Sequence, residues 1–163
     1  MEKMVIDNDS FFADVLSVLA EGRQATIPVK GFSMLPFIRG GKDLVVLEKA
    51  PADLKAGDIV LFHIGPMDGG RWVMHRILSI DGDAVDIMGD GVYRGHEHVR
   101  RDQIHAKAVT ILRGGTRPVD PYSPRELRKV RFWQGLLPLR RYILFIYRHL
   151  PWNRSWIKEN VSI

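Results

Sequence analysis

Hydrophobic and polar positions change period twice along this chain. Between residues 8 and 21, Phe11, Phe12, Val15, Leu16 and Leu19 recur at the spacing of one helix face. Asn8, Asp9 or Ser10 can cap that helix and Gly22 can end it, so the pattern predicts a short amphipathic helix packed on a core. From Ala25 to Gly115 the texture becomes short β-type runs broken by turn residues. "ATIPV" comes first, then "DLVVLEK" after Gly40-Gly41 and "DIVLFHI" after Gly57. "RWVMHRILSI" ends at "DGD", "AVDIM" leads to "GDG", and "AKAVTIL" ends at Gly114-Gly115. Such a series, with no helical pattern between its members, predicts an all-β barrel or closed sheet. A parallel α/β sheet would need crossover helices, and the pattern has none.

"TRPVDPYSP", residues 116 to 124, is a Pro-rich boundary. Beyond it the period becomes helical again, in two pieces. "SPRELRKVRFW" opens with a Ser-Pro cap signal. "LRRYILFIYRHL" sets Leu139, Tyr142, Ile143, Ile146, Tyr147 and Leu150 on one face, with Arg140, Arg141, Arg148 and His149 mostly off it. The chain thus divides into an N-terminal helix (1–24), a β domain (25–115), and a linker with a basic amphipathic tail (116–163).

Charge sharpens that division. Residues 116 to 163 hold ten Lys/Arg against Asp120, Glu126 and Glu159, a net of +7, while the first 115 residues hold 14 basic and 16 acidic side chains, a net of −2. An anionic partner should therefore meet the tail first. At 163 residues the chain suits one ordinary domain. The absence of cysteine excludes disulfides, thiolate nucleophiles and cysteine zinc sites. The N-terminus carries early acidic residues and no apolar stretch of signal-peptide type. The apolar run "YILFIY" is far short of the ~20 residues of a membrane span. The expected location is cytoplasmic or peripheral to a membrane.

Candidate chemistry centres on "GFSMLPFI", residues 31 to 38, where Ser33 sits among apolar residues between a glycine and a proline. A nucleophilic serine needs a base. His96 and His98, in the polar stretch "RGHEHV", read as a solvated loop; His63 and His105 lie near strand ends, and His149 belongs to the tail. His75 lies mid-strand in "WVMHRIL", where alternation gives it a fixed direction; an isolated strand histidine is also a common structural residue. Asp90, between two glycines in "MGDGVYR", suits either a turn or the support of a histidine tautomer.

In order along the chain, "GFSMLP", "LKAGDIVLF", "VMHRILSI" and "MGDG" resemble the type I signal peptidases and their LexA-type relatives. The resemblance spans about residues 25 to 112. A histidine at the strand position, followed by Arg76, is the form of the endoplasmic-reticulum and spore-former enzymes; the bacterial leader peptidases carry lysine there. The resemblance implies a signal-peptidase-like β-barrel-type catalytic domain acting as a serine endopeptidase on a precursor or leader peptide. Ser33 would be the nucleophile, His75 the general base and Asp90 its support. The Ser33 amide would stabilise the oxyanion. Gly31, Met34 and Leu35 would shape the oxyanion and substrate-binding surface, and Asp58 in "GDIV" reads as structural. No metal or cofactor is implied.

The N-terminal segment departs from the family, since it offers only the short helix over 8–21 where those peptidases carry a membrane span, and about thirty residues before Ser33 cannot hold a DNA-binding domain. A free-standing compact peptidase is therefore expected. Aromatic residues beside arginines in the tail suit peripheral contact with an anionic membrane. A catalytically idle peptide-binding β-domain is the alternative. Nucleic-acid binding ranks last, because no recognised module accompanies the basic tail.

Overall fold

The computed structural model describes residues 8–66 and 69–150. The side chain of Asn8, the first seven residues and the tail from residue 151 onward lie outside the described residues. Helix α1 spans Asn8–Ala20. Its end is a Schellman turn: Gly22 adopts φ 76°, its amide donates to the Leu19 carbonyl and the Arg23 amide donates to that of Val18. The expected apolar stripe is the buried one, with Val15 and Leu19 in the core and Phe11, Phe12 and Leu16 packed against it.

Eight antiparallel strands follow. They are β1 (Ala25–Pro28), β2 (Leu44–Lys49), β3 (Ile59–Ile64), β4 (Arg71–Asp81), β5 (Ala84–Met88), β6 (Glu97–Arg100), β7 (Ile104–Arg113) and β8 (Arg117–Val119). The main path runs β1-β2-β7-β3-β4-β5-β6, and β8 pairs with β7 beyond the stretch that β3 uses. Strand β3 is covered on both faces, which explains why its run "IVLFHI" is apolar but for the buried His63. Ile59 and Leu61 join one core cluster with α1, while Val60 and Phe62 join a second with Ile77, Val85, Ile87 and Val99.

The sheet is mainly β, as expected, but it is open rather than closed: β1 and β6 end the path and do not pair with each other. The chain after β5 is taken up against the Ser33 loop, where the Gly91 amide donates to the Ser33 carbonyl at 2.8 Å. The strand that follows has only four residues. Two strands escaped the sequence pattern. β6 lies in the polar stretch read as a loop, and β8 lies inside the Pro-rich boundary.

The tail folds into α2 (Pro124–Gly135) and α3 (Arg140–His149), with Ser123 capping α2 through the Glu126 amide. It packs on the motif loop: Val130, Trp133 and Leu144 enclose Leu35 and Phe37. This corrects the expected apolar face of α3. Its buried residues are Arg140 and Leu144, with Ile143 and Tyr147 partly covered; Leu139, Tyr142 and Ile146 are exposed. A buried arginine at this place is stabilised by what it meets, since its guanidinium donates to the Val92 and Trp133 carbonyls and lies over the Trp133 ring. Among the described residues, no helix is long and apolar enough to cross a membrane.

Candidate active site

The 31–41 segment is a compact loop between β1 and β2. Gly31 has φ 78°, and the Gly41 amide donates back to Val29. Gly40 presses on Gly31 so closely that a Cβ there would stand 2.2 Å from the Gly31 carbonyl oxygen, so only glycine fits. Met34 and Ile38 point into the sheet core, and Leu35 and Phe37 point into the helical cluster. Ser33, partly buried, is left facing the space between loop and sheet.

Strand β4 supplies the opposite wall. Its first half pairs with β3 and its second half with β5, and the β5 pairing begins only at Arg76. The Arg71–His75 stretch therefore presents an edge that β5 leaves uncovered. A cavity of about 400 Å³ lies along it, lined on one side by Val29, Lys30, Ser33 and Met34 and on the other by Arg71 through His75, with Val92 and Glu97 completing it. Ser33 and His75, about forty residues apart in sequence, thus line the same cavity.

Two glycines bring them together. A Cβ on Gly89 would sit 2.3 Å from the Ser33 carbonyl oxygen and 2.9 Å from His75 Nε2, so those two atoms are at most about 5 Å apart. A Cβ on Gly91 would collide with the Phe32 carbonyl at 2.3 Å. The glycines of the "GDG" segment let the chain pass directly beneath the serine loop, and no other residue would permit that approach.

The histidine ring is oriented. His75 is 5% exposed, and its Nδ1 lies 3.1 Å from Glu97 Oε2. A carboxylate there favours the proton on Nδ1 and leaves Nε2 free as an acceptor toward the serine loop. Burial lowers the pKa of His75 below the ordinary histidine value; Glu97 and, more weakly, Asp90 oppose that shift. The ring is thereby kept neutral, the form a general base needs.

The role expected for Asp90 is corrected. Its carboxylate is held by Arg76, Nε to Oδ1 at 2.9 Å and Nη2 to Oδ2 at 2.8 Å, while Arg76 Nη1 donates to the Gly57 carbonyl at 2.9 Å. Both partners are buried, and the bidentate pair engages the carboxylate in place of the imidazole, on which Asp90 acts only weakly through its charge. Glu97 takes that place. Sequence reading missed it because "HEH" looked like a solvated loop; the signal was the alternation around Val99, which sends Glu97 inward and its neighbours out. Leu35 is also corrected: it is fully buried under the helical tail and does not reach the cavity. Gly31 acts on loop shape, Met34 lines the cavity, and Asp58 is a buried structural anion paired with Lys107 at 2.9 Å. A separate cluster of Asp86, His96 and His98 lies outside this cavity. Comparison with protein-family models, curated proteins and solved structures found no match for this chain.

Proposed function

We propose that the protein is a serine endopeptidase of signal-peptidase type, with Ser33 as nucleophile, His75 as general base and Glu97 as the residue that positions it. The observation that carries this reading is a single cavity holding Ser33 and a buried, carboxylate-oriented histidine whose Nε2 faces the serine loop. In the reaction, Nε2 takes the Ser33 hydroxyl proton as Oγ bonds to the scissile carbonyl carbon. The imidazolium then returns that proton to the amine as the C–N bond breaks. Water repeats the sequence to release the acyl group. His75 carries the proton in both halves, and Glu97 stabilises the charged ring in between.

The substrate matched to this cavity is an extended peptide. The free edge of β4 over 71–74 offers backbone groups to an added strand, with Met34 and Val73 beneath alternate side chains. The experiment is mass-spectrometric profiling of cleavage in a diverse peptide mixture, with Ser33→Ala and His75→Ala alongside. The wild type should cut at recurrent sites, and either variant should lose ~10⁴-fold or more. Cleavage that survives in Ser33→Ala defeats the reading. Binding of the same peptides without any turnover by the wild type favours the idle peptide-binding domain instead.

The tail leaves Phe132, Tyr142, Phe145 and Ile146 exposed beside Arg141. That mixture suits peripheral contact with an anionic membrane. Replacing Tyr142, Phe145 and Ile146 with serine should abolish co-sedimentation with phosphatidylserine vesicles, and unchanged binding would rule out this contact. Deleting the whole tail is unsuitable as a test, because α2 and α3 cover Leu35 and Phe37.

A further inference from the structure

The peptidase reading uses Glu97 and leaves its two histidine neighbours unexplained. Glu97 lies opposite Ile87 in the β5–β6 register, whereas His98 lies opposite Asp86. Alternation therefore sends Glu97 to the face of His75 and His98 to the other, where His96, just before the strand, joins it. One ligand atom from each of Asp86, His96 and His98 lies within 4.8 Å of the other two. His98 Nδ1 is hydrogen-bonded to Asp86 Oδ1, and Ser79 Oγ donates to the other oxygen, Oδ2, at 3.1 Å. Ser79 stands opposite Asp86 on β4, so hydroxyl, carboxylate and imidazole form one row across three strands.

An exposed edge strand is ordinarily guarded by lysine or proline. Here the guard is two imidazoles whose centroids are 4.5 Å apart, next to a carboxylate already oriented by a second hydrogen bond. Imidazole nitrogens with one carboxylate oxygen suit zinc, nickel or copper, whereas magnesium and calcium favour all-oxygen sets. Three protein ligands leave a fourth position for water. Ser79 supplies the outer-shell bond that fixes a ligating carboxylate. The β5–β6 ladder sets the spacing of Asp86 and His98, and His96 joins them from the residue just before β6.

We propose that Asp86, His96 and His98 form a binding site for a divalent cation of the zinc class, and that its occupation staples β6 to β5 and so holds Glu97 on His75. The stapling part rests on the peptidase reading, since only there does the position of Glu97 matter. β6 has four residues and a single neighbouring strand, the kind of element that opens first. A cross-strand metal bridge directly beside Glu97 would suppress that opening.

The test uses the full chain, stripped with chelator and dialysed. Zinc alone is titrated by calorimetry, cobalt by visible absorption, and backbone hydrogen exchange over residues 97–100 is followed with and without zinc. One equivalent should bind. His96→Ala and His98→Ala should each weaken binding by more than about tenfold, since loss of even an outer-shell partner costs that much. Exchange in β6 should slow on zinc addition in the wild type and not in His98→Ala. No saturable binding, or wild-type affinity retained in either histidine variant, overturns the site. Binding that leaves β6 exchange unchanged overturns the staple. Ser33→Ala should bind zinc as the wild type does, so the metal site and the peptidase reading succeed or fail separately.

Discussion

The close approach of Gly89 to both the serine loop and the histidine gives the sharpest test. In Gly89→Ala the new methyl would be placed 2.3 Å from the Ser33 carbonyl oxygen and 2.9 Å from His75 Nε2, where ordinary contact begins at 3.4 Å. The tighter neighbour is backbone and cannot rotate away, so the serine loop must retreat by about 1 Å relative to the histidine. Misplacement of that size costs ~10²-fold in rate, about 2.7 kcal/mol of transition-state stabilisation. Overpacking should cost about 1–3 kcal/mol of stability, leaving the protein folded at room temperature. The assay pairs initial rates on a cleaved peptide with a thermal melt. Gly135→Ala serves as the control, because a Cβ there meets nothing within 4 Å. It should keep full activity. A folded Gly89→Ala protein within threefold of the wild-type rate would refute the argument that this glycine sets the serine–histidine approach.

Glu97→Gln should lower kcat by ~10²–10⁴-fold, since the ring loses the charge that orients it and stabilises its protonated form. It should also move the acid limb of the rate profile to lower pH, because Glu97 opposes the lowering caused by burial; an unmoved limb would reduce Glu97 to a structural residue. In the wild type that limb should already lie below the ordinary histidine value of about 6.5, and a midpoint at or above it would contradict the burial of His75. The same lowered value makes the unfolded chain protonate first. The His75 contribution to stability is thus full above about pH 6.5 and declines as pH falls toward the folded value, which denaturant titrations across that window can follow. Asp90→Ala strands Arg76 in the core and should cost about 3–5 kcal/mol, a fall in Tm of roughly 6–20 °C, where a change under 3 °C would deny the pair its structural role.

What the sequence made legible divides along physical lines. The helix over 8–21 and the strands at 25, 44, 59, 71, 84 and 104 announce themselves because each buries one face, or both, against a large core. β6 and β8 do not, since each is short and draws its stability from a neighbour's backbone. The bringing together of Ser33 and His75 was legible from ordered motifs, but the hydrogen bonds of the Asp90 carboxylate go to Arg76, and it reaches His75 only weakly through its charge. A glycine-flanked aspartate shows that the chain passes close to something, not what its carboxylate meets. On α3 the hydrophobic stripe was right only for Ile143 and Tyr147, because the tail docks on the serine loop around Leu144 and a buried Arg140, leaving Leu139, Tyr142 and Ile146 exposed.

The exchange of carboxylates between Asp90 and Glu97 has a consequence for how the site is controlled. Arg76 is 1% exposed and follows the histidine directly on β4, so its charge must be met inside the protein. Leaving it unpaired would cost more than any orientation of His75 could return, which commits Asp90 to the guanidinium. The carboxylate that orients the base must then come from elsewhere, and it comes from an edge strand with one neighbour. A buried ion pair thus sits next to the histidine on β4, while Glu97, which meets the histidine ring, sits on an edge strand with one neighbour. On the peptidase reading, the base would be open to adjustment from the outer face of β5 and β6, through contacts outside the cavity. Catalytic competence and the ordering of residues 97–100 should rise and fall together.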